Sequence, residues 1–129
     1  MKFKVLSLVF LFFGVMSCLK NQTAGIQVIG VAKYEQKMAE PNTQLIDVRT
    51  PEEYSEGHLV NAINIDVNSD DFDTKVASLD KEKSVMVYCK MGGRSAKAAT
   101  RLKELGFKNI TDLDGGITNW KSENKPIVK

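Results

Sequence analysis

The residues best suited to chemistry are gathered in one short stretch, Cys89-Lys90-Met91-Gly92-Gly93-Arg94. An uninterrupted apolar run, Val85-Met86-Val87-Tyr88, ends directly before the cysteine. Such a run reads as a central parallel strand covered on both faces, and ligands of open α/β sheets bind at the carboxyl ends of strands. The six residues from Cys89 to Arg94 must carry the chain from strand to helix. Gly92 and Gly93 permit backbone angles that turn N–H groups inward as an anion-binding nest. A helix expected from Ser95 adds the positive end of its dipole. Lys90 and Arg94 bring the only formal charges of the loop, both positive. A cysteine in such surroundings ionises more readily than a free one, and the thiolate is the nucleophile. The same cradle of N–H groups stabilises an extra sulfur atom or a passing oxyanion. The competing reading is an inert core thiol, against which stand the Gly-Gly turn and the two flanking cations.

The rest of the chain supplies alternating elements to hold this loop. Residues 27–29 read as a short strand, and 31–39 as a helix through the spacing of Val31, Tyr34 and Met38. Residues 44–48 read as a buried strand ending in Asp47-Val48-Arg49. Thr50-Pro51-Glu52-Glu53 follows as a helix start, with Thr at the N-cap and Glu placed for a capping box, and Gly57 as the stop. A strand over 62–65 and a helix over 70–79, with Phe72, Val76 and Leu79 inward, precede the central strand. After the loop, a helix over 95–105 ends at Gly106, and 110–113 form the last strand before Gly115-Gly116 and a short helix through Trp120. Strands alternating with helices argue for an α/β fold on a parallel sheet.

The first residues read as a targeting segment. Met1 to Lys4 is a basic start, Val5 to Phe13 an apolar run broken only by Ser7, and Gly14-Val15-Met16-Ser17 leads to Cys18. The run is short for a membrane span and fits a signal peptide. Val15-Met16-Ser17-Cys18 resembles the lipobox of bacterial lipoproteins, with Met16 where a smaller residue is usual. The resemblance implies cleavage after residue 17, lipid on Cys18, a polar tether over 18–26 and a domain over 27–129 held at the cell envelope. Acyl chains contribute about 0.8 kcal/mol per buried methylene to such an anchor. Plain secretion and an uncleaved anchor are the alternatives. With Cys18 lipidated, Cys89 is left as the one free thiol of two cysteines, a pattern that marks reactivity in an exported protein.

Charge excludes one class of partner. The 18 Lys and Arg face 16 Asp and Glu, and two of the lysines, Lys2 and Lys4, lie in the leader. The remaining domain is balanced, and nothing in it suggests the basic face that nucleic acid requires.

Four segments together resemble the rhodanese superfamily. Cys89 to Ser95 is similar to its active-site pattern C-x-x-G-x-R-S; Leu45-Ile46-Asp47-Val48-Arg49 with Glu53-Tyr54 is similar to its DVR segment. Glu56-Gly57-His58-Leu59-Val60-Asn61-Ala62-Ile63-Asn64-Ile65 matches its GHI-x-GA-x-N-I stretch, with Asn61 where Gly is usual. Leu113-Asp114-Gly115-Gly116-Ile117-Thr118-Asn119-Trp120 matches L-x-GG-x-x-x-W. Related phosphatases and arsenate reductases use Cys-x5-Arg, whereas four residues separate Cys89 from Arg94 here, as in the sulfurtransferase form.

The resemblance implies a central parallel sheet of about five strands with helices on both faces. It also implies a thiosulfate sulfurtransferase that works through a Cys89 persulfide cradled by Lys90, Met91, Gly92, Gly93, Arg94 and Ser95. Asp47 and Arg49 are implied to orient the loop and balance its charge, their other reading being a structural ion pair or cap, such as Arg49 with Glu56. The cations favour an anionic sulfane donor such as thiosulfate, with a thiol or cyanide as acceptor. No cofactor or metal is implied, and a monomer is expected. His58, the only histidine, is expected to bond backbone in a turn, and Trp120 to pack in the core. Asp70-Asp71-Phe72-Asp73 is expected to supply favourable acids at a helix start. A partner-binding module without catalysis, or a cysteine redox sensor, are the other functions this sequence could serve.

Overall fold

A computed structural model describes residues 25–129; the expected leader, Cys18 and most of the tether lie outside the described residues. The elements run β1 (Ile26–Ile29), α1 (Val31–Met38), β2 (Gln44–Asp47), α2 (Pro51–Glu56), β3 (Ile63–Asn64), α3 (Phe72–Val76), β4 (Val85–Tyr88), α4 (Gly93–Glu104), β5 (Ile110–Leu113) and α5 (Gly116–Ser122). The five strands form one sheet in the order β1-β5-β4-β2-β3, every pair parallel. This is the α/β architecture expected, with β4 in the middle.

β4 is sealed on both faces because its side chains alternate between two cores. Val85, Val87 and Cys89 join Phe72 and Val76 of α3 and Ala98, Ala99 and Leu102 of α4 on one face. Met86 and Tyr88 join Val31 and Tyr34 of α1 and Ile117 and Trp120 of α5 on the other. The Val, Leu, Ile, Phe and Met side chains of both cores each contribute about 1.5–3 kcal/mol on full burial.

Local boundaries differ where one residue's backbone decides. α4 begins at Gly93, two residues before the expected Ser95, because Gly92 alone makes the reversal at φ 119° and Gly93 is already helical. β3 is only two residues long, and α3 is shorter than 70–79, with Leu79 partly buried beyond its end. α2 starts as expected: the Thr50 hydroxyl oxygen accepts from the Glu53 N–H at 3.3 Å, Pro51 opens the helix, and Gly57 ends it. Asp71, at the N-cap of α3, makes no side-chain cap bond; it pairs instead with Lys75.

Candidate active site

Cys89 emerges from β4 on the face covered by α4, and its thiol is buried at 1 % exposure. The Gly92 N–H donates to Sγ at 3.0 Å, an approach made possible by the left-handed turn at that glycine. The thiol donates to the Ser95 hydroxyl at 3.4 Å, and that hydroxyl donates to the Gly92 carbonyl at 3.2 Å. The first helical bond of α4 runs from Ala96 N to Gly92 O. The N–H groups of Gly93, Arg94 and Ser95 therefore lie in the unpaired first turn, where a helix end favours negative charge. Sγ thus sits at the positive end of a twelve-residue helix, held by one backbone donor and one hydroxyl. Gly93 serves as the first residue of that helix and not as a second turning residue.

The charge of the loop is arranged differently from the sequence expectation. Arg94 turns outward onto Glu53 of α2, with Nη1 to Oε1 at 2.6 Å and Nη2 to Oε2 at 2.9 Å. This bidentate pair raises the Arg94 pKa and holds the Glu53 carboxyl down at about 2, against the opposing effect of partial burial on each group. Arg94 is consequently a strut between the loop helix and α2, its charge already matched. Lys90 and Met91 are exposed at the surface of the loop, so Lys90 is the loop's cation facing solvent.

Asp47 and Arg49 do not meet Cys89. Both point to the opposite face of the sheet, where Asp47 accepts from the Arg49 N–H at 3.0 Å, from Arg49 Nη2 at 2.7 Å and from the Tyr88 hydroxyl at 2.8 Å. Arg49 also donates to the Gly57 carbonyl at 2.6 Å, not to Glu56. The expectation that they balance the loop's charge is corrected to a structural one: they fix Tyr88, the residue before Cys89, and the turn after α2. Burial and the neighbouring Asp47 carboxylate together push the Tyr88 hydroxyl far above its usual value, so it stays a neutral donor. His58 stacks on Tyr54 and its Nδ1 lies 2.9 Å from the Tyr54 carbonyl, as a backbone-bonded turn residue. Trp120 is core, its Nε1 donating to Pro126 O at 2.9 Å.

Three contributors escaped the sequence reading. Glu53 is read from the sequence as a helix-capping residue and as part of the DVR segment but not as the partner of Arg94, although an acid in the first turn of α2 and a basic loop are both visible. The second is the start of α5: the Ile117 N–H donates to Cys89 O at 2.9 Å and the Thr118 N–H to Lys90 O at 3.0 Å. A Cβ on Gly116 would stand 2.5 Å from Lys90 O and 2.6 Å from Cys89 O, so only glycine lets α5 clasp the loop. The Gly115-Gly116 pair was the available signal. The third is Asp112 of β5, 3 % exposed on the Cys89 face, whose Oδ1 has no hydrogen-bond partner among the described residues. Burial pushes its carboxyl up to about 6, against the opposing pull of the Ser95 hydroxyl and Leu113 N–H. Nothing in a strand reading Ile-Thr-Asp-Leu marks such a group.

Comparison with known proteins adds the lineage. The Rhodanese-like domain family matches residues 31–123. The chain is 40% identical over 95 residues to the adenylyltransferase and sulfurtransferase uba4 of Ogataea parapolymorpha, using 71% of this chain but only 23% of that one. It is 37% identical over 91 residues to the chloroplastic thiosulfate sulfurtransferase 16 of Arabidopsis thaliana, covering 63% of this chain and 76% of the relative. The crystal structure of a rhodanese-related protein from Thermoplasma volcanium superposes with a TM-score of 0.70 at 33% identity, over 79% of this chain and 97% of the other. The match spans every element from α1 through α5, including the loop that carries Cys89, and on it the chain belongs to the rhodanese-like domain family.

Proposed function

We propose that this chain is a sulfurtransferase that carries a sulfane sulfur as a persulfide on Cys89. The observation that supports it most is the Gly92 N–H held 3.0 Å from Sγ at the open end of α4, in a loop pinned by α5. In the first half-reaction the Cys89 thiolate attacks the outer sulfur of thiosulfate. A Cys89–sulfur bond forms, the sulfur–sulfur bond of thiosulfate breaks, and sulfite leaves with the electron pair. In the second, an acceptor thiolate attacks the outer sulfur of the persulfide and the electron pair returns to Sγ. Negative charge in both steps is met by N–H dipoles at the helix end. Because Arg94 is neutralised by Glu53, selection of an anionic donor falls to those dipoles and to Lys90.

The chain is further proposed to work at the cell envelope, anchored by lipid on Cys18, on the strength of its leader and lipobox-like segment. Mass spectrometry of the full-length chain after thiosulfate should show one added sulfur atom on Cys89, absent in Cys89→Ala. No adduct with thiosulfate or any other sulfane donor would sink the assignment. Loss of membrane association in Cys18→Ser tests the anchor, and a wild-type chain recovered without lipid would refute it.

A further inference from the structure

The positive end of α4 and a free cation beside it would together attract anions strongly. Arg94 lies in the first turn of that helix, which carries no acid of its own. Its counter-charge comes instead from the first turn of α2, where Glu53 meets it in two parallel bonds. Such a fork is directional as well as strong, so it fixes where the guanidinium points. Glu53 is itself held: the Thr50 hydroxyl donates to its Oε1 at 3.2 Å and accepts from its N–H at 3.3 Å. The pair is within reach of dissolved ions, because each side chain keeps 28 % of its surface exposed. Glu53 acts most strongly on the Arg94 guanidinium, and Cys89 and Asp66 also act on it through space. The charge of Arg94 is therefore near enough to the sulfur to count there, and Glu53 offsets it.

What this does to an incoming donor depends on the donor's own charge. A free guanidinium about 4–8 Å from a bound anion is worth about two- to fivefold in affinity for each negative charge on the anion. A dianion gains that factor twice and a monoanion once. Pairing Arg94 with Glu53 withholds it from both, and the dianion loses more. The N–H dipoles of α4 and the exposed Lys90 still attract either kind.

We propose that Glu53 is a positioning residue that sets the charge class of the donor: by holding Arg94 it keeps the site open to singly charged sulfane donors, such as thiosulfonates, beside dianionic thiosulfate. The inference rests on the sulfurtransfer reading for its chemistry, though not for its electrostatics. With a thiosulfonate, the Cys89 thiolate attacks the outer sulfur and a new sulfur–sulfur bond forms. The donor's own sulfur–sulfur bond breaks, and sulfinate leaves with the electron pair. The persulfide formed is the one that thiosulfate gives.

The test compares thiosulfate with methanethiosulfonate as donors to the full-length chain, in the wild type and in Glu53→Gln. Glutamine keeps an oxygen for the Thr50 hydroxyl and removes the charge. The ratio of kcat/KM for thiosulfate to that for methanethiosulfonate should rise about threefold in the variant, through KM. The rise should shrink in about 0.5 M salt. It should disappear when Arg94→Gln is added, since no guanidinium is then left to release. A substitution that merely loosened the loop would affect both donors alike, so an unchanged ratio overturns the proposal. A rise that persists without Arg94 overturns it as well. If neither donor loads sulfur onto the wild type, the sulfurtransfer reading falls by itself. The charge assignment is then decided by sulfate and methanesulfonate, which carry the same charges and transfer nothing, titrated against the amide NMR shifts of Gly92 and Gly93. Glu53→Gln should favour sulfate by about threefold more than the wild type does, and equal preferences in the two proteins overturn the assignment.

Discussion

Asp47 and Asp112 occupy nearly equivalent places, on the two strands that flank β4, and they are treated in opposite ways. Asp47 is sealed from solvent with an arginine, a backbone N–H and a tyrosine hydroxyl around it. Asp112 is almost as deeply buried, yet its Oδ1 has no donor among the described residues. The first acid ties the strand end before the loop to the turn after α2. The second stands on the loop's own face near the Ser95 hydroxyl and the Leu113 N–H, with Oδ1 unpaired. A fully paired buried charge is architecture, whereas a partly paired one carries an uncompensated desolvation cost.

The comparison is most easily broken at Arg49. Arg49→Met leaves Asp47 buried without its counter-charge and should cost about 3–5 kcal/mol in urea unfolding. A loss below about 1 kcal/mol, the size of an exposed pair, would mean that Asp47 is not held as described.

Asp112→Asn should act in the other direction. The Asp112 carboxyl has its folded value raised to about 6, so its favourable contribution is complete below the ordinary carboxylate range and is lost as pH rises through 6. At pH 7.5 the asparagine variant should be more stable than wild type by about 2 kcal/mol, and the difference should close by about pH 4. Equal melting curves at both pH values would show that Asp112 is not strained.

Glu53→Gln sets the smallest scale. The Glu53 carboxyl is held at about 2, so the pair with Arg94 stabilises above the ordinary carboxylate range and fades as pH falls toward 2. Its exposure to solvent limits the loss at neutral pH to about 0.5–1 kcal/mol, shrinking in high salt. Thermal melts of wild type and variant should converge as pH falls from 5 to 2.

The legibility of these features follows their physical range. Val85 to Tyr88 announced a central strand because burial on both faces demands an unbroken apolar run. Cys89 and its turn were legible because their partners are neighbours in sequence. The strut from Arg94 to Glu53 joins residues 41 positions apart, and the loop's charges alone suggested a free cation. Which face Asp47 takes depends on strand pleat and on Tyr88, also 41 residues away, so its separation from Cys89 was hidden. Asp112 was illegible for a different reason: what distinguishes it is a missing partner, and a sequence does not record absences. The early start of α4 turned on which of two adjacent glycines makes the reversal, a matter of one backbone angle.

The clasp of α5 makes the cradle depend on residues that follow the whole sheet in sequence. Every strand of the sheet is complete once Leu113 has been made, and the nucleophile comes two dozen residues before that. Yet the carbonyls of Cys89 and Lys90 find their donors only in Ile117 and Thr118. Only with Gly116 beneath them is the cradle around Cys89 complete. The thiol's surroundings are thus held from outside the sheet, and a chain cut before Gly116 would keep every strand and lose the clasp.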